Sequence, residues 1–561
     1  MKKQVLLSVI FSSFVLLLIS YFNIQVLNFS NWDPKAKSNS LRKINIFAPR
    51  GIIYDSNNTV MVENQTIYDL SIVPFDAQED FDYVMLSNII DMELNDIKDK
   101  VMISNFNNVT KFHPQIIKRN LDFKTVSKIE EFRLDMPGII FNEFPARAYQ
   151  KNSRSTHIIG YLSDATNRLK SQFNYIDGDV YGISGIERIY ESQLRGSNGV
   201  DFHLFDSYGI DQGKYLSMDS VSPTAGNPLY LTVNNNLQTH IEKLLLNRIG
   251  SIICVNPING DVLAMASGPD YDLRSFIGPV PIQTWNELAN DTINKPLVNR
   301  SIGGIYPPGS IYKIIAIAAA LEEKTIEKTD SIYCTGKYKF GNRFFNCWKE
   351  DGHGFINMYD AVKFSCNSYF YNLASNGYLE FDKWYDLGLK FGFGNRTGID
   401  LIGESIGNVP KNIPRNQRGQ YLNYIIGQGD VLATPIQIVS LMSILANKGK
   451  LCKPHINKNI NSTDELTNIN PLIIKDINQM IRRVISDSDG TGHSVNIGGY
   501  DIYGKTGTAE NNKEPHSWFS GFINVDGKSM SLVVLIENGG KGSEMAAPIA
   551  KSIFQFYIDN L

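Results

Sequence analysis

The sequence predicts an α+β protein in which one membrane-spanning helix precedes two folded units, the second built on a central, largely antiparallel sheet flanked by helices. Three observations carry this. The chain has 561 residues, too many for one ordinary domain, with 43% hydrophobic and 20% charged residues, a globular balance with ample core. Its N-terminus is an uncharged apolar run. In its C-terminal half, strand-like segments stand at both ends of a region whose middle is helical, the pattern of an antiparallel sheet closed by both ends of the unit. A formal net charge of -3 leaves no basic excess for a nucleic-acid partner.

From Gln4 to Trp32 there is no charged residue, and "VLLSVIFSSFVLLLISYFNIQVL" is long enough at about 1.5 Å per residue to cross a bilayer core of about 30 Å. Lys2 and Lys3 precede it, so the positive-inside tendency leaves residues 1–3 as a cytoplasmic tip and everything after the anchor (4–28) outside. The stretch lacks a small-x-small cleavage site behind it, which favours an uncleaved anchor over a signal peptide. Residues 29–45 read as a polar linker. A first unit, 46–225, opens with "IFAPRGIIYDSNNTVMVEN", read as strand, turn at Ser56–Asn58 and strand; "MLSNIIDMELNDIKDKV" and "TVSKIEEFRLDM" have helical spacing, and "GIIFNEFPARAY" and "GVDFHLFDSYGI" read as strands. This unit is mixed and extended, with no concentration of catalytic groups.

The Pro/Gly-rich joint in "SPTAGNPLYLTVNNNLQTHIEKLL" begins the second unit, 226–561. "GSIICVNPINGDVLAMAS" reads as two strands joined at Pro257–Gly260, and "DIYGKTGTAE" and "MSLVVLIENGG" supply later strands. Residues 457–471 read as a surface loop. Five cysteines are an odd number, so this is no disulfide scaffold.

In "PPGSIYKIIAIAAALEE" the pair Pro307-Pro308 and Gly309 cannot continue the apolar helix backwards, which puts Ser310 at or near its first position. Lys313, three residues on, returns to about the same face, a serine beside an amine that can serve as its base. The competing reading is a helix cap with a surface lysine, and Ser40–Lys43 matches Ser-x-x-Lys too. Two segments nearer the C-terminus decide between them. "KFSCNSYFY" contains Ser365-Cys366-Asn367 and "YGKTGTAE" contains Lys505-Thr506-Gly507-Thr508.

Ser-x-x-Lys, Ser-x-Asn and Lys-Thr-Gly in that order resemble the signature of penicillin-binding proteins and serine β-lactamases. "RGIIYD", "GISGIERIYESQLRG", "NRSIGGIYPPGSIYK" and "IGQGDVLATPIQ" extend the resemblance over the chain to class B penicillin-binding proteins, the monofunctional D,D-transpeptidases. That resemblance implies an elongated periplasmic pedestal of the dimerisation type and a penicillin-binding/β-lactamase-like transpeptidase domain. It implies an inner-membrane, single-pass protein that crosslinks peptidoglycan stem peptides on glycan made from lipid II, releases D-Ala and is acylated by β-lactams. Neutral Lys313 would take the proton as Ser310 attacks, and Ser365 would relay it to the departing amine. Asn367 would hold the substrate amide, and Lys505 would sustain the positive field that keeps Lys313 deprotonated. Thr506 and Thr508 would bind a terminal carboxylate, Gly507 would let an extended peptide lie on the strand edge, and the backbone N–H groups of Ser310 and Thr508 would form the oxyanion hole.

The segment "CTGKYKFGNRFFNCWKEDGHG" is similar to that of the elongation-type members and not of the division type, and implies partnership with a RodA-type SEDS glycosyltransferase. It also brings a metal expectation: catalysis needs no cofactor, but Asp330, Cys347, His353 and Cys366 are the preferred four for a structural zinc. Against it stand ordinary core cysteines, a surface histidine and a Cys334–Cys347 disulfide. Three alternatives remain for function. A D,D-carboxypeptidase or β-lactamase would share the site, and a septal transpeptidase would share the fold. A β-lactam sensor or scaffold would need a cytoplasmic portion that a three-residue tip does not supply.

Overall fold

The computed structural model describes residues 2–28 and 41–560, apart from 78–80, 106–113, 151, 177, 206–210, 216–217, 279, 414–416 and 463–464. Most of the predicted linker, 29–40, lies outside the described residues. Its end does not: Leu41–Ile46 is a strand, paired antiparallel with Gly199–Phe205. Linker-like polarity there belongs to a strand carrying Arg42, Lys43 and Asn45 among its apolar residues.

The apolar run forms the helix Lys2–Phe22 and continues as a π-helical turn, Asn23–Leu27. Its span Gln4–Leu27 counts 24 residues, holds an 18-residue stretch with a mean hydropathy of 2.5, and none of that stretch is buried. Such a surface is stable only in an apolar medium.

The chain divides into two compact units. One comprises residues 1–51, 64–147 and 195–227. It holds the sheet just named, extended by Asp211–Lys214, and a second sheet in which Gln115–Leu121 and residues 139–147 of the strand Ile139–Tyr149 pair with residues 64–72 of the strand Val60–Ile72. The helices Tyr83–Ile90, Leu94–Asn105 and Phe123–Glu131 pack on that layer around Leu70, Leu86, Ile97, Ile117 and Ile129. Asp82 and Asp122 cap two of them, accepting from Met85 N and Thr125 N at 2.8 Å each, which satisfies N–H groups that have no partner in the first turn.

The other unit comprises 52–63, 148–194 and 228–561. Its sheet consists of β1 (Gly250–Val255), β2 (Val262–Gly268), β3 (Ile502–Ala509), β4 (His516–Val525) and β5 (Lys528–Ile536), in the antiparallel order β2-β1-β5-β4-β3. As expected, both ends of the unit meet, with Gly250 opposite Ile536. Every residue of β5 after Lys528 is buried. Alternate side chains of a strand point to opposite faces, so both faces of this sheet are covered.

The covering helices are α1 (Asn235–Leu245), α2 (Lys313–Glu323), α3 (Asn367–Ser375), α4 (Pro435–Ala446), α5 (Pro471–Ser486) and α6 (Ala546–Asp559). Helix α4 lies on β1, β4 and β5, α1 and α6 pack on the sheet and on each other, and α5 covers β3. A reciprocal cap starts α4: Thr434 Oγ1 accepts from Gln437 N (3.3 Å) while Gln437 Oε1 accepts from Thr434 N (2.9 Å). The predicted surface loop 457–471 carries one short strand, Glu465–Leu466, paired with Lys450–Leu451.

Candidate active site

Pro307, Pro308 and Gly309 shape the chain before Ser310, and the structure shows why a glycine is required. Gly309 has φ +54°, and a Cβ there would stand 2.8 Å from the Thr508 carbonyl oxygen of β3. The N–H of Gly309 donates to Gly427 O (2.9 Å) and the indole of Trp518 donates to Pro307 O (3.1 Å). Ser310 sits in a 3-10 turn, Gly309–Ile311, one residue short of α2, so the predicted helix start is slightly tighter than α-helical.

Lys313 opens α2 with only 1% of its surface exposed. Its Nζ donates to Asn367 Oδ1 (2.6 Å), Ser365 O (2.8 Å) and Ser365 Oγ (3.3 Å). The first two motifs are therefore joined by one buried amine. Ser365 adopts a left-handed backbone (φ +54°), which turns the chain so that Ser365 and Asn367 both face Lys313. Burial lowers the Lys313 pKa to about 8, against a smaller upward pull from Cys366 and Cys347. Burial was one of the two sources expected from sequence, the charge of Lys505 being the other; Lys505 is itself held well below the ordinary range, first by burial and then by Lys313.

Strand β3 is the terminal strand of the sheet, so its outer edge is unpaired within the sheet. Lys505 is fully buried and donates to Thr506 O (3.0 Å). A Cβ on Gly507 would meet Trp518 Cβ at 3.0 Å, Pro308 O at 3.2 Å and Ile311 Cγ1 at 3.3 Å. Its missing side chain lets β3 press against the Ser310 turn, a packing requirement that adds to the expectation about the strand edge.

The two threonines differ. Thr506 Oγ1 donates to Thr491 Oγ1 (3.2 Å), and Thr491 in turn donates to Lys363 O (3.1 Å), so the Thr506 proton is committed. Thr508 Oγ1 accepts from Gly542 N (3.2 Å), which leaves its own proton to donate.

Sequence reasoning missed Thr491 and Gln428. Thr491 links the backbone just before Ser365 to β3, and Gln428 Nε2 donates to Thr508 O (3.3 Å) behind the Ser310 turn. Gln428 lies inside the quoted "IGQGD", whose paired glycines were the available signal; Thr491 had none.

Cys366, between Ser365 and Asn367, belongs to a second cluster. The donor atoms of Cys334, Cys347, His353 and Cys366 all lie within 4.8 Å of one another. Cys334 Sγ and Cys347 Sγ are each 3.6 Å from His353 Nδ1, and Cys347 Sγ is 3.9 Å from Cys366 Sγ. Zinc bonds of about 2.3 Å to sulfur and 2.0–2.1 Å to nitrogen at tetrahedral angles give edges of about 3.8 Å for S···S and about 3.6 Å for S···N. The donor set fits a tetrahedral zinc.

It differs from the expected set at one corner. Asp330 is not in this group; its Oδ2 accepts from Glu327 N (2.9 Å) within a turn. Cys334 takes the place because the pairing of Ile332–Cys334 with Gly354–Ile356 sets it opposite Gly354, beside His353. None of the five cysteines is in a disulfide. The Cys347–Cys366 contact pulls the Cys347 thiol low and pushes Cys366 up. Burial opposes protonation of His353, yet the contacts with Cys347 and Cys334 raise it.

Residues 250–555 match the penicillin binding protein transpeptidase domain family, and residues 45–231 match the penicillin-binding protein dimerisation domain family. The peptidoglycan D,D-transpeptidase MrdA of Haemophilus influenzae is 29% identical over 97% of this chain and 89% of its own length. The MrdA of Escherichia coli K12 is 28% identical over 94% and 89%. Among solved structures, penicillin-binding protein 2 of Helicobacter pylori in complex with MreC superposes with a TM-score of 0.79 at 25% identity, covering 93% of this chain and 100% of that one. A peptidoglycan synthase complex described as coordinating polymerization and crosslinking gives 0.75 at 25% identity, covering 99% and 98%.

Proposed function

The chain belongs to the penicillin-binding protein transpeptidase family, and from that premise we propose that it is the peptidoglycan D,D-transpeptidase of cell elongation, working through an acyl-enzyme on Ser310. The observation that carries the mechanism is the buried Lys313 amine, directed at Ser365 and Asn367 just behind the Ser310 turn.

Ser310 Oγ attacks the carbonyl carbon of the penultimate D-Ala, and its proton passes to neutral Lys313. A pKa of about 8 leaves roughly 9% of the amine neutral at pH 7, against roughly 0.03% at the ordinary value, a gain of about 300-fold in competent base. The backbone N–H groups of Ser310 and Thr508 bind the developing oxyanion. The C–N bond then breaks, Ser365 delivers the proton to the departing D-Ala nitrogen, and an ester on Ser310 remains. An amine of a neighbouring stem attacks that ester, its proton returns to Ser310 Oγ, and the crosslink is made. Asn367 steadies the substrate amide, Thr508 donates to the terminal carboxylate, and Thr506 anchors β3 through Thr491.

Zinc held by Cys334, Cys347, His353 and Cys366 would supply structure and take no part in acyl transfer. It would pin the loop that carries Ser365 and Asn367. The apolar helix anchors the chain in the inner membrane with the remainder in the periplasm. A partner of the MreC kind is supported by the relative's complex, and a RodA-type polymerase partner is what the elongation-type resemblance implies. The test is D-Ala release from a pentapeptide stem by the chain with its polymerase partner: Ser310→Ala abolishes release, and release that persists refutes the assignment.

A further inference from the structure

Next to the site stands a hairpin that the mechanism does not use, formed by Lys337–Phe340 and Arg343–Asn346. Directly opposed residues of such a pair share a face. Tyr338 pairs with Phe345, and both rings pack on Tyr371 of α3, with centroids 5.9 and 5.6 Å away. The opposite face carries Lys337, Lys339, Phe344 and Asn346, all exposed, and Phe344 is 64% exposed. Arg343 is exposed at the tip. The hairpin is joined to the catalytic motif through Asn367, whose Nδ2 donates to Asn346 O (3.3 Å).

A fourth cation belongs with these three. Gly419 stands against Phe345, where a Cβ would lie 3.3 Å from the ring, and this sets the exposed Arg418 beside the hairpin. The hairpin has no acidic residue, and none of the four cations is held in an ion pair among the described residues.

We infer that the hairpin Lys337–Asn346 with Arg418 is a carboxylate-binding arm of the active-site cleft that takes the free carboxylates of a peptidoglycan stem peptide. The inference rests on the function proposed above and extends it to substrate selection. Lys337 and Lys339 on the exposed face, with Arg343 at the tip and Arg418 on the Phe345 side, surround a hairpin fixed to Asn367 with positive charge that attracts an acidic chain, and the two guanidinium groups suit bidentate pairing with carboxylates. Phe344 offers the apolar surface against which peptide methylene groups rest. A neutral face would serve a substrate lacking charge equally well, so charge on the ligand is the discriminating variable.

The test uses the full chain in detergent with Ser310→Ala, so that ligand binds without turnover, and compares it with the same chain carrying K337Q, K339Q, R343Q and R418Q. Two synthetic stems are titrated, a pentapeptide ending in D-Ala-D-Ala as acyl donor and a tetrapeptide as acceptor. Each is used with its carboxylates free and amidated. The expected result is a roughly tenfold loss of affinity for the free-acid stem, about what two exposed ion pairs supply, and little change for the amidated one. Loss confined to the pentapeptide assigns the arm to the donor, and loss confined to the tetrapeptide assigns it to the acceptor. Equal affinity of the two proteins for both free-acid stems overturns the inference. A benzylpenicillin adduct is measured in parallel on the quadruple variant with Ser310 restored. An adduct formed at the normal rate, with stem affinity unchanged, rejects the arm and leaves the transpeptidase reading standing. Failure of the unaltered chain to form any adduct rejects that reading itself.

Discussion

Acylation of Ser310 should follow the neutral fraction of Lys313. The perturbation is pH. Burial places the Lys313 pKa at about 8, so the neutral fraction is roughly 1% at pH 6, 9% at pH 7, 50% at pH 8 and 91% at pH 9. The sign is fixed by the chemistry: only the neutral amine accepts a proton, so the rate rises with pH and levels above the pKa. The second-order constant for acylation by benzylpenicillin, followed by mass spectrometry or a fluorescent penicillin, should increase about 50-fold between pH 6 and 8. It should gain less than about twofold from pH 8 to 10. Lys313→Met should remove the profile together with most of the rate, since the amine's contacts with Ser365 and Asn367 vanish with it. A rate still climbing tenfold per unit through pH 9 would mean an amine near its ordinary value. A flat profile would mean that Lys313 is not the base. Either result refutes the reasoning.

Gly309→Ala should cost about 1–2 kcal/mol from the left-handed backbone alone, and more from the Cβ forced to 2.8 Å from Thr508 O; the check is a lowered Tm together with slower penicillin acylation. Thr491→Val should weaken stem-peptide binding several-fold by freeing Thr506, with Thr491→Ser restoring it, and equal affinity in all three proteins would leave that hydroxyl chain without a role. For the metal, elemental analysis should find one zinc per chain, lost in Cys334→Ala and kept in Asp330→Asn; the reverse would put Asp330 back in the set.

The three motifs were legible through their order, since Ser-x-x-Lys recurs at Ser40–Lys43 and is not distinctive alone, and the antiparallel sheet was legible because its strands are nearly continuous apolar runs at both ends of the unit. Geometry that depends on contacts far apart in sequence was not. The short strand Leu41–Ile46 is set by pairing with residues about 160 positions away and has no strong pattern of its own. Thr491 acquires its place from Lys363 and Thr506, so nothing near it in the chain announces it. Asp330 and Cys334 are four residues apart and both offer a zinc donor, and only the register that sets Cys334 opposite Gly354 decides which reaches His353. Gly507 stands out in the sequence for lacking a side chain, but the neighbours that need the space, Trp518, Pro308 and Ile311, come from two other segments.

The most direct test of the central claim is intact-mass analysis of the full chain after incubation with benzylpenicillin, followed by peptide mapping. The account predicts one stable penicillin per chain, on the peptide containing Ser310, and none in Ser310→Ala. An adduct on another residue, or rapid hydrolysis of the drug with no adduct retained, would contradict it.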